Sequence, residues 1–94
     1  MFKPPDNIVA FYQQSDASVS TGITCNPLQP FQTVVRHPFY NQGNAILVEC
    51  YSGIEPARAG HERWVVLMTA DKLPSQLLDI SIALNKKQVR MEPV

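Results

Sequence analysis

Little of this sequence is charged. Asp, Glu, Lys and Arg make up 17% of its 94 residues, against about 25% in a typical soluble domain. Eight basic side chains face eight acidic ones, so the chain lacks the net positive surface of a dedicated DNA or RNA binder. Cysteine is nearly absent, and Cys25 and Cys50 are too few for a disulfide scaffold. Each stands in an alternating segment where a small apolar residue fits. Both therefore read as buried thiols in a reducing cytoplasm, with a Cys25–Cys50 bond as the alternative. No apolar run approaches the roughly 18–20 residues of a membrane helix. The start, MFKPPDNIVAF, has no apolar stretch behind its lysine and does not read as a signal peptide. Synthesis in the cytoplasm without a membrane partner is the expectation.

Motifs are missing as well. His37 and His61 are isolated, without CxxC, HxH or HExxH spacing, so no metal site is expected. There is no G-x-S-x-G elbow around Ser52-Gly53, and Gly53 to Gly60 lacks the Lys and Ser of a phosphate loop. Nothing calls for a cofactor or a small-molecule substrate.

What is present is a succession of short β-prone runs. Eight scattered prolines and four glycines leave little room for a long helix. Strands are predicted at Ile8 to Gln13, Val19 to Asn26, Phe31 to Arg36, and Ala45 to Ser52. In the last of these, Ile46, Val48 and Cys50 share a side, opposite Ala45, Leu47, Glu49 and Tyr51. Glu62 to Thr69, with the run Trp64-Val65-Val66-Leu67-Met68, reads as a central strand covered on both faces, with Trp64 in the core. Leu78 to Leu84 alternates, placing Leu78, Ile80, Ile82 and Leu84 on one face. Asn85-Lys86 then turns a hairpin into Gln88 to Glu92. Ser75 as a helix cap gives that segment a second, helical reading. Short helical turns also fit Glu55 to Gly60 or Pro74 to Leu77. The fold class is all-β: one domain over residues 1–94, a small antiparallel barrel or sandwich of six or seven short strands, with at most one short helical turn.

The charges are unevenly placed. Residues 1–35 hold three, Lys3, Asp6 and Asp16, whereas residues 53–94 hold eleven. The first third is polar through Gln, Ser, Thr and Asn. A surface that is desolvated against a partner sheds charge, because a buried unpaired charge costs several kcal/mol. Aromatics sit among these residues, and interfaces favour them. The interface candidates are Phe2, Phe11, Tyr12, Gln13, Phe31, Phe39 and Tyr40. The alternative is that the aromatics fill the core and the polar run is loop. Lys86, Lys87 and Arg90 form the one basic cluster and are candidates for weak nucleic-acid contact; without a neighbouring aromatic to stack a base they also read as solvated turn residues. His61, with Glu62 or Glu49 and with Arg63 and Arg58, supplies the residue types of a metal-independent ribonuclease. Strand alternation, however, puts His61 and Arg63 on one face and Glu62 on the other, so solvated charge is the plainer reading.

From Thr69 the chain reads Thr69-Ala70-Asp71-Lys72-Leu73-Pro74, a short spacer, then an alternating hairpin with Ile80, Ile82, Asn85-Lys86 and Val89. This resembles the C-terminal part of small β-barrel head–tail joining (adaptor or stopper) proteins of tailed phages. There a strand leads into a T-A-D-L-P-like corner and an I-x-I-x-G-K-x-Y-x-V hairpin follows. The likeness covers about the last quarter of the chain. It departs at Leu78-Asp79, where those proteins have Gly-Asp, and at Gln88, where they have an aromatic. It implies a non-enzymatic structural subunit of a phage or prophage virion, with other copies of itself and other assembly proteins as partners. The alternatives are a small nucleic-acid-binding barrel and a small inhibitor or toxin acting on a host enzyme or RNA.

Overall fold

Each alternating run of the first half forms a strand. The computed structural model describes residues 8–24, 27–81 and 86–92. Strands β1 (Ile8–Gln14), β2 (Ala17–Ile23), β3 (Phe31–Arg36) and β4 (Ile46–Tyr51) form one antiparallel sheet in the order β1-β2-β3-β4. The β1–β2 turn is two residues long and is made possible by a left-handed backbone at Ser15, with φ 52°. Helix α1 (Ile54–Thr69) follows β4, and β5 (Gln76–Asp79) pairs antiparallel with β6 (Lys87–Arg90). The Ile80 amide donates to the Leu47 carbonyl at 2.9 Å, tying the end of β5 to the free edge of β4. The molecule is a slab, with extents of 38 × 38 × 20 Å.

The expected hairpin is present, with Asp79 opposite Lys87, but its first strand begins earlier than the alternation of Leu78 to Leu84 suggests. Leu77 is buried and Leu78 is 41% exposed, the reverse of the expected facing. The cause is the core: Leu77 and Val89 are directly opposite each other and pack with Tyr40, Ile46 and Met68. Residues 82–85, including Ile82 and Leu84, lie outside the described residues, as do Phe2 and Cys25.

Two expectations are corrected. Among the described residues the strands form a four-stranded and a two-stranded sheet and close into no barrel, and the segment read as a central strand is the second half of a 16-residue helix. Pro56 does not break that helix, because it occupies the first turn, where an amide has no intrahelical acceptor. Glu55 in the same turn complements the positive helix end. Ala57, Gly60, His61, Trp64, Val65 and Met68 recur at helical spacing and form the inward face. The apolar run is split by that period: Val66 is 67% and Leu67 44% exposed. In place of a strand leading into Thr69-Ala70-Asp71, a helix does so.

Packing α1 on one face of the sheet makes the core. Val19, Val35 and Ile46 lie side by side across β2, β3 and β4 and meet Met68, Trp64 and Val65 from the helix. A bulge at Val48 lets one extra residue into β4, since Thr33 pairs with Glu49 while Val34 pairs with Leu47. The bulge reverses the expected parity beyond it: Glu49 and Tyr51, and not Cys50, share the helix-side face with Ile46.

Candidate functional site

The same register builds a polar seam under the helix. Thr21 lies opposite Thr33, and Thr33 opposite Glu49, so three polar side chains form a row on a face that is otherwise apolar. Thr21 and Thr33 are fully buried, and a buried hydroxyl must find a partner. Thr21 Oγ1 is 2.6 Å from Thr33 Oγ1 and 2.8 Å from His61 Nδ1. Thr33 Oγ1 is 2.9 Å from the Tyr51 hydroxyl, which donates to Glu49 Oε1 at 3.0 Å. Trp64 Nε1 donates to the same carboxylate at 2.9 Å, and Arg63 reaches both of its oxygens at 3.2 and 3.3 Å. No buried side-chain polar atom among the described residues lacks a partner.

Counting protons fixes the direction of this chain. The Glu49 carboxylate only accepts, so the single proton of Tyr51 points to it. Thr33 must then donate to Tyr51, Thr21 to Thr33, and His61 Nδ1–H to Thr21. His61 is therefore the Nδ1–H tautomer, set by a carboxylate four hydrogen bonds away. Burial pushes the Tyr51 phenol up to about 12, and its bond to Glu49 adds in the same direction. Burial holds the His61 imidazole below its ordinary value, with the Glu62 carboxylate pulling weakly the other way. Gly60 stands where the helix crosses Tyr51: a Cβ placed there would fall on the phenol ring.

A pH dependence follows. A buried histidine with a lowered value binds its proton more weakly in the folded than in the unfolded chain. The folded state therefore loses stability as the pH falls below about 6.5, and this histidine contributes no slope above it. His37, also lowered by burial, acts in the same direction. Urea midpoints measured at about pH 7.5 and about pH 5 should drop more for the wild type than for His61→Gln, whose amide does not titrate. Equal drops would show that His61 is not held neutral.

The ribonuclease candidates thus meet through hydrogen bonds and not around a cavity. His61 is 5% exposed and held by Thr21, while Glu49 is shared by Tyr51, Trp64 and Arg63. Glu62 and Arg58 are exposed on the helix flank that borders β1. Glu49, with Cys50 and Lys86, also borders a cleft of about 580 Å³ beside β4. Cys50 is a free, half-buried thiol, raised by burial and by the adjacent Glu49. Among the described residues no three His, Cys, Asp or Glu side chains converge as metal ligands, and no helix is long and apolar enough to cross a membrane.

No family model, curated protein or solved structure matches the chain. The site is accordingly built from its own geometry.

The interface candidates separate. Tyr40 is fully buried and is a core residue, its hydroxyl donating to the Pro74 carbonyl; it offers no contact surface. Tyr12 and Phe39 are half-buried and pack on the core, Tyr12 from the helix side opposite Val19. Phe31 is half-buried at the start of β3. Phe11, 47% exposed, and Gln13 remain outward, on the sheet face away from α1. By register that face carries Phe11, Gln13, Ser18, Ser20, Gln32 and Val34, with Arg36 at one end as its sole charge among the described residues. Lys86, Lys87 and Arg90 are exposed on and beside β6. Thr21, Thr33 and Tyr51 escaped the sequence reading, although Thr21 and Thr33 share the parity of Val19 and Val35. A threonine in phase with a buried valine was the available signal.

Proposed function

We propose that this protein is a subunit of a larger protein assembly, joined to its neighbours by extension of the sheet at β1. The observation that carries the reading is the edge itself. β1 pairs with β2 on one side, and no described strand pairs with the other. An edge strand presents a row of unpaired amides and carbonyls, and monomeric proteins guard such edges with Lys, Pro or short length. β1 is seven residues long, IVAFYQQ, without a charge or a proline. Its bulge between Ile8 and Ala10 twists only its first end. Beside the edge, the far face of the sheet continues the same uncharged, hydrogen-bonding surface. Of assemblies built from such subunits, the phage or prophage virion is the one favoured by the likeness of the corner and hairpin at Thr69 to Val89.

Light scattering over a concentration series tests the reading. The wild type should rise above the 10.5 kDa of one chain, and Phe11→Lys combined with Gln13→Lys should remain at that mass, since two lysines guard the edge. Both positions are exposed, so folding is retained, whereas Tyr12→Asp would injure the core. A wild type that stays monomeric, or a double variant that associates like it, would defeat the proposal.

A further inference from the structure

A groove of about 350 Å³ lies between β1 and α1, with Val9, Ala10 and Ala59 along it and Glu55, Arg58 and Glu62 at its mouth. It flanks the open edge of β1 on the helix side of the sheet, so a strand added there sends every second side chain into it. Its small side chains leave room for a large one.

The other edges of the chain narrow what that strand is. β2 and β3 are paired on both sides. The outer side of β4 already accepts the Ile80 amide, at Leu47. β5 and β6 are four residues long; β5 ends on Asp79, and β6 carries Lys87 and Arg90, guards that β1 lacks. Among the described strands β1 is thus the one long, unguarded edge. A strand that pairs with its own copy about a two-fold axis runs antiparallel and brings any charge it holds close to the same charge. β1 holds none.

We infer that the neighbour at β1 is β1 of a second copy of this chain, in a closed dimer whose two-fold axis stands at Phe11, perpendicular to the sheet. Such an axis keeps both helices on one side and joins the two four-stranded sheets into one. Opposed residues then share a facing, and centring on Phe11 overlaps the seven-residue strand with its copy from end to end. Phe11, 47% exposed, meets its mate on the far face. Tyr12 falls opposite the partner's Ala10 on the helix side, so each half-buried tyrosine ring enters the other copy's groove. The backbone agrees. Counting back alternately from the two-residue turn that pairs Gln14 with Ala17, the amides and carbonyls of Phe11 and Gln13 face the open edge. The inference rests on the assembly reading and names its unit.

Mass and cross-linking test the dimer. In light scattering the wild type should level off at twice 10.5 kDa. Uncharged strands make the contact, so salt at about 0.5 M should leave that mass unchanged. Single cysteines read the register, in a chain whose Cys25 and Cys50 are replaced by serine. Phe11→Cys stands opposite its own copy within disulfide reach and should give a covalent dimer on mild oxidation. Gln13→Cys, whose two copies lie about 14 Å apart in this register, should not. Both positions are exposed, and circular dichroism checks that each variant folds. A mass that climbs past two chains, dissociation by salt, or a Phe11→Cys that cross-links no faster than Gln13→Cys overturns the two-fold dimer while sheet extension at β1 stands. A monomeric wild type overturns both.

Discussion

Gly60→Ala is expected to destabilise the protein by about 1–3 kcal/mol, although the same change in an exposed helix interior stabilises by up to about 1 kcal/mol. The inversion of sign comes from one contact. A methyl group on Gly60 would occupy the space of the Tyr51 ring, and that ring is not the loose end of a flexible side chain. Its hydroxyl is bonded to Thr33 and Glu49, and Tyr51 is 5% exposed. Either the helix lifts from the sheet and loosens its contacts with Val19, Val35 and Ile46, or the phenol swings out and breaks two hydrogen bonds. Each route falls in the range of an overpacked core or a broken buried network. Urea unfolding decides the matter, and a Gly60→Ala protein at least as stable as the wild type would mean that α1 crosses β4 elsewhere. Replacing Tyr51 with Phe in the same protein should recover only part of the loss, since the ring still collides.

Thr33→Val should cost about 2–3 kcal/mol while leaving the shape of the core nearly unchanged, because the hydroxyl is exchanged for a methyl of similar size. Thr33 sits at the centre of the seam, accepting from Thr21 and donating to Tyr51. Without it, the Thr21 proton has one acceptor in reach, His61 Nδ1. To accept, the imidazole must move its own proton to the other ring nitrogen. The variant should therefore switch His61 from the Nδ1–H to the Nε2–H tautomer, which nitrogen NMR of the ring reads directly. Thr33→Ser keeps the hydroxyl and should keep the native tautomer, losing only about 1 kcal/mol for the buried methyl. An unchanged tautomer in Thr33→Val would show that the hydroxyls do not form a single directed chain. The loss of stability alone could come from packing; the tautomer could not.

Much of the sheet was legible in the residues. β1, β3 and β4 fall within a residue or so of the segments marked by alternation and β-branched content, and the last two strands form a hairpin, though β5 ends at Asp79 where the alternation was read on to Leu84. Only the start of the helix was legible, as the helical turn read at Glu55 to Gly60; its continuation to Thr69 was not, for two physical reasons. Five consecutive apolar residues, Trp64 to Met68, satisfy a buried strand and a helix equally well. Pro56 also counts as a breaker unless its place in the first turn is known. Reading outward from the buried set shows what was missed: Ala57, Gly60 and His61 continue to Trp64, Val65 and Met68 at the helical period, an inward stripe too small and polar at its start to register as hydrophobic. The parity of β4 was lost at Val48, because a bulge leaves no mark in a single sequence. The seam was half visible. His61, Glu49 and Arg63 were grouped for their chemistry, but what joins them is the pairing of β2 with β3, and strand order is not written in local pattern. Among the aromatics, exposure divides Phe11 from Tyr40, and alternation alone does not tell a strand's outward face from a core-filling loop.

One side of the four-stranded sheet carries the helix, and no described element lies over the row formed by Phe11, Ser20, Gln32 and Val34. Natural selection therefore acts on the two sides through different filters. A change at Thr21, Val35 or Gly60 must first survive folding, whatever the protein does afterwards. A change at Phe11 or Gln13, both exposed on the far side, meets a much weaker folding filter. Folding alone therefore holds the seam beneath the helix in place, while it leaves the exposed positions of the far side open to change.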